Sequence, residues 1–81
     1  MDKRTKAQRA EALLQDDVLQ EAFDGVSLYH TSAFARVSAT EAEVLEARRM
    51  VLALNEVKSQ LRSFVLTGKI LAKRDQDREH D

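Results

Sequence analysis

The chain of 81 residues has no cysteine, no proline, no tryptophan and only two glycines. Without cysteine there are no disulfides, no thiolate nucleophile and no cysteine-ligated zinc or iron–sulfur centre. Without proline, and with glycine at 25 and 68 alone, there is too little turn chemistry for a many-stranded sheet. No apolar run approaches the ~18 residues that span a bilayer. The opening Met1-Asp2-Lys3-Arg4 is charged and no apolar stretch follows it, so no secretory signal is expected. What remains is 43% hydrophobic and 33% charged, a balance that suits a folded helical domain rather than a disordered one. These features predict an intracellular, all-α, single domain over residues 1–81, with 75–81 a frayed polar tail.

Net charge is −1, yet the charges are segregated. Lys3, Arg4, Lys6 and Arg9 open the chain. Residues 10–30 carry only acids: Glu11, Asp16, Asp17, Glu21 and Asp24. Glu41, Glu43 and Glu46 follow, and bases dominate from Arg48 to Arg74.

Two helical segments emerge from the hydrophobic periodicity. The second is the more regular. Ala47, Met50, Leu54, Val57, Leu61, Phe64, Gly68 and Leu71 alternate at threes and fours, a heptad seam, with Val51 and Val65 widening it. Ser38-Ala39-Thr40-Glu41 and Thr40-Glu41-Ala42-Glu43 both fit a capping box. This predicts a helix over about 40–73, roughly 50 Å long at 1.5 Å per residue. In the first segment Ala10, Leu14, Val18, Ala22, Val26, Tyr29, Ala33 and Val37 also advance at threes and fours, predicting a helix over about 4–36. Gly25 costs it about 1 kcal/mol and is the point at which a kink or break would fall. The chain reverses near Val37–Ala39, which makes the segments antiparallel neighbours in one long hairpin. That register sets Asp16 and Asp17 opposite Lys58 and Arg62, and Arg36 near Glu41 and Glu43. It also crowds Lys3, Arg4, Lys6 and Arg9 against Lys69, Lys73 and Arg74. Either the acidic tail (Asp75, Asp77, Glu79, Asp81) folds back on that end, or an anion or acidic partner sits there.

Two helices share one interface, and ~80 residues without disulfide or metal have little stability to spare. Leu45, Leu52, Leu66 and Ile70 lie off the seam, on a side that a two-helix hairpin leaves in water. They are the expected association face, and the hairpin is expected to be oligomeric. The alternative is that the first segment breaks near Gly25 and wraps both faces as a three-helix bundle.

Sites for chemistry are sparse. His30 has Tyr29, Thr31 and Ser32 beside it, but adjacent helical positions face different ways and no oxyanion-hole loop is present. A polar patch is the better reading, and His80 lies in the tail. The acidic pairs Asp16/Asp17 and Glu41/Glu43 lack the i,i+3 or i,i+4 spacing of helical metal sites and read as solvated faces and a cap. Gly68-Lys69 lacks the upstream glycine of a phosphate loop. No cofactor, metal or catalytic activity is expected. Lys3, Arg4, Lys6, Arg9, Lys69, Lys73 and Arg74 could contact an anion or nucleic acid, although no helix-turn-helix is visible and aromatics do not interleave with the bases.

The pattern Arg9-Ala-Glu-Ala-Leu-Leu-Gln-Asp-Asp-x-Leu-Gln-Glu-Ala-Phe23, the aromatic stretch Tyr29–Phe34, then Glu46-Ala-Arg-Arg49, Leu52-Ala-Leu54 and Val57-Lys-Ser-Gln-Leu-Arg-Ser-x-x-x-x-Gly-Lys69 resembles small uncharacterised phage and prophage proteins encoded among head and packaging genes. Those proteins keep a Trp in the aromatic stretch, which this chain lacks. The resemblance implies a phage origin, a place in the virion or in the host cytoplasm, and a structural or assembly role. It assigns no functional residue. The sequence expectation is therefore a protein–protein interaction module that self-associates through its second helix or docks into a larger assembly. The alternatives are a DNA-contacting packaging or regulatory factor that uses the basic end, and a counter-defence protein that binds a nucleotide or a host protein.

Overall fold

The computed structural model describes residues 1–79, with the side chain of Glu79 excepted. It is all-helical over those residues: α1 is Lys3–Leu14, α2 is Asp17–Ala35 and α3 is Glu41–Glu79. The molecule is elongated, 65 × 23 × 20 Å. Both α1 and α2 pack on α3. Their partners descend along α3 as they ascend along the N-terminal half. Arg4 meets Asp75, Ala7 faces Gly68, Lys58 lies on Phe23, and Arg36 reaches Glu43.

Each helix start is set by an oxygen acceptor. The Asp2 side chain accepts from the backbone N–H of Arg4 and Thr5 at 2.8 and 2.9 Å. Asp16 accepts from Leu19 N–H at 2.8 Å. Thr40 Oγ1 accepts from Glu43 N–H at 3.1 Å, so of the two expected capping boxes it is the Thr40 one that caps α3. The reciprocal half is missing, because the Glu43 carboxylate goes to Arg36 at 3.4 Å instead.

The N-terminal half breaks at Gln15–Asp16, not near Gly25 as its glycine suggested. Asp16 adopts an extended backbone, ψ 119°, and becomes the N-cap of α2. Gln20 Nε2 closes the joint by donating to Leu14 O at 2.9 Å. An N-cap acid contributes about 0.5–2 kcal/mol, and it acts here with a side chain covering an orphan carbonyl of α1. Gly25 costs α2 about 1 kcal/mol and offers no competing partner, so the helix runs through it without a positive φ. The expected frayed segment 75–81 is helical as far as Glu79, with Asp75 held by Arg4. His80 and Asp81 lie outside the described residues.

Among the described residues the buried side chains are four alanines: Ala7, Ala10, Ala33 and Ala47. Small residues at the contact let helix axes approach closely. Gly68 takes this furthest, since a Cβ there would collide with the Cβ of Ala7. The larger apolar groups Leu14, Leu19, Phe23, Val44, Val51, Leu54, Leu61, Phe64, Val65 and Leu71 flank the alanines half-buried.

The inward stripe of α3 is rotated from the expected seam. Val51 and Lys58 turn inward, whereas Met50 and Val57 are exposed. Lys58 can occupy an inward position because its alkyl stem packs while its Nζ sits 5.2 Å from the centre of the Phe23 ring. The expected pairing of Lys58 with Asp16 or Asp17 is therefore not made. The aspartates go to helix capping and the start of α2, and the lysine goes to the aromatic ring.

Candidate association surface

Leu45, Leu52, Leu66 and Ile70 sit on the side of α3 turned away from α1 and α2, at 48%, 50%, 58% and 48% exposure. Helical spacing explains the grouping: positions 45, 52, 66 and 70 recur near whole turns of a 3.6-residue helix. The break in the N-terminal half does not wrap a helix over this side, so the three-helix bundle that would have covered both faces does not form. The four side chains form two pairs, one toward each end, with Ser59 and Ser63 between them.

A second apolar surface was missed in the sequence. Val18, Val26 and Tyr29 on α2 and Met50 and Val57 on α3 are all exposed. Their spacing is the shared signal in the sequence, and that same spacing predicts an interior seam rather than an open face. They are exposed because α1 and α2 pack on α3 along a line of alanines, which leaves the flanks of the wide stripes uncovered.

The basic cluster is only partly assembled. Arg4 is engaged by Asp75, and Lys6 Nζ lies 4.5 Å from the centre of the Phe64 ring. Arg4 and Lys69 line a shallow groove of about 240 Å³ between α1 and α3, together with Gln8, Glu11, Val65 and Gly68. Glu11 places negative charge in the same groove. Lys3, Arg9, Lys73 and Arg74 are exposed. The crowding of like charge is thus eased within the chain, by one carboxylate and one aromatic ring.

At the other end an open groove of about 530 Å³ separates α2 from α3, lined by Tyr29, His30, Ala33, Arg36, Glu43 and Glu46 among others. His30 packs edge-on against Tyr29, with ring centres 5.1 Å apart. The neighbouring hydroxyls are committed to backbone. Thr31 Oγ1 donates to Leu28 O at 3.2 Å and Ser32 Oγ to Tyr29 O at 2.7 Å, so neither is presented to the imidazole as a nucleophile. Among the described residues no three His, Asp or Glu side chains converge as a metal site. The Asp2 carboxyl is held below its ordinary value near 3.8, chiefly by the backbone N–H of Thr5, then by the Thr5 hydroxyl. That is a capping role. No described helix is long and apolar enough to cross a membrane.

The fold and surface define an all-helical protein whose distinguishing property is uncovered apolar area. No protein-family model matches the chain, and neither a curated protein nor a solved structure matches it.

Proposed function

We propose that the chain is an antiparallel helical hairpin that serves as a protein–protein assembly module and self-associates through the back of α3. The observation that carries this reading is the half-exposure of Leu45, Leu52, Leu66 and Ile70 on one side of a 39-residue helix. A fully buried side chain of this kind contributes about 1.5–3 kcal/mol, so covering the remaining half of each returns roughly 1 kcal/mol per residue. An aqueous monomer forgoes all of that. A small structural or morphogenesis component of a phage particle is the setting that the sequence resemblance favours. The DNA-contacting alternative is weakened by the engagement of Arg4 and Lys6 within the chain and by Glu11 in the groove beside Lys69.

The test is the mass in solution by light scattering across a concentration series. Leu52→Glu combined with Leu66→Glu lowers the oligomeric state and leaves helicity intact. A wild-type chain that stays monomeric at high concentration and melts cooperatively refutes the proposal.

A further inference from the structure

Beyond the back of α3, one broad side of the molecule is free of charge across two helices. On α2, Val18, Ala22, Val26 and Tyr29 follow one another at fours and threes and so share a face, with buried Ala33 continuing the line beneath it. On α3, Met50, Ala53, Val57, Gln60 and Phe64 do the same. The groove lined by Tyr29 and Ala33 from α2 and by Glu43 and Glu46 from α3 shows that both stripes lie on the same side, since Met50 stands one turn beyond Glu46. No charged residue interrupts either stripe. The back of α3, by contrast, carries Arg49 and Glu56 among its leucines. The charges lie at the two ends. The Lys6 ammonium rests over Phe64 at one, and Glu46 stands at the other, reaching Arg49 of its own helix at 3.6 Å.

We infer that this side is a second association surface and that its occupant is another copy of the chain, packed face to face with the long axes reversed. Two features of the surface match its own rotated image. Met50 and Phe64 lie seven residues to either side of Val57. A two-fold axis passing by Val57, across the long axis, therefore sets Met50 on the second copy's Phe64 and Val57 on its counterpart. The same rotation carries Lys6 toward the second copy's Glu46, joining opposite signs at both ends. A two-fold along the long axis would instead stack Lys6 on Lys6 and Glu46 on Glu46, and like charges in register are penalised. The reversed arrangement makes a four-helix layer with an isologous contact, the commonest way for identical chains to close.

Charge reversal tests it. Lys6→Glu and Glu46→Lys each weaken self-association about three- to tenfold, as reversal of a rim charge pair does, and the double variant recovers most of the loss. Loss of the Lys6–Phe64 contact alone cannot produce that recovery. Val57→Glu places two carboxylates at the axis and weakens association about a hundredfold or more, with helicity unchanged because Val57 is half exposed in the single chain. Sedimentation equilibrium reads all four. The inference falls if Val57→Glu associates like wild type, if the double variant is no better than the single ones, or if the wild-type chain is monomeric. It also stands apart from the back of α3, where the double leucine replacement leaves the Lys6–Glu46 rescue intact.

Discussion

Two glycine-to-alanine substitutions, chemically the same and both inside helices, are expected to move stability in opposite directions. No side chain or neighbouring helix comes within 4 Å of where a Cβ on Gly25 would stand, so Gly25→Ala gains helix propensity of about 0.8–1 kcal/mol at no steric cost. Gly68→Ala gains the same propensity but drives a methyl group into the Cβ of Ala7. Helix α1 must yield along its packing on α3, where the buried methyls of Ala7 and Ala10, the Arg4–Asp75 pair and the Lys6–Phe64 contact hold it. Overpacking of this kind costs about 1–3 kcal/mol, which exceeds the propensity gain of about 0.8–1 kcal/mol. The difference between the two variants isolates the collision at about 1–3 kcal/mol, or roughly 5–20 °C in Tm for a chain of this size. Thermal melts followed by circular dichroism give that difference. Amide hydrogen exchange locates it, with faster exchange confined to residues 3–14 in Gly68→Ala alone. Equal upward shifts of both midpoints would refute the close approach of α1 to α3.

Asp16→Ala removes the cap of α2 and lowers stability by about 0.5–2 kcal/mol in a urea titration, whereas Asp17→Ala, which caps nothing, changes it far less. Below its ordinary value near 3.8 the Asp2 carboxyl begins to lose the amides it accepts from. A group with a depressed folded value stabilises above its unfolded value, and the contribution disappears as pH falls through the folded one. Exchange protection at the start of α1 is accordingly full at neutral pH and declines as the pH drops below about 4; Asp2→Asn should flatten that dependence. Phe64→Leu removes the ring beneath Lys6 and costs about 0.5–1 kcal/mol beyond the change in area, with Lys6→Met in the same background adding nothing further in a double-mutant cycle.

Much of the fold was legible because helix formation is local. The capping chemistry of Thr40, the chain reversal after Ala35 and the proximity of Arg36 to Glu43 follow from neighbours in sequence. The break at Gln15–Asp16 is also local, written in the Asp16 cap and the Gln20 side chain, whose combined effect exceeds the small helix cost of Gly25. The flank made by Val18, Val26, Tyr29, Met50 and Val57 was not legible. A stripe that is apolar at 50, 51, 54, 57 and 61 does not say which of its edges faces inward.

The composition and periodicity of the chain determined by themselves that it is helical, where it turns, and that more apolar surface exists than two helices can cover, because backbone hydrogen bonding and amphipathic spacing act over a few residues. Tertiary packing alone decided which apolar residues remain in water. Ala7 seated against Gly68 fixes how closely α1 meets α3, and Lys58 folded over Phe23 turns the inward stripe toward Val51. Those contacts join residues thirty-five or more positions apart, and their outcome depends on the shapes of both partners.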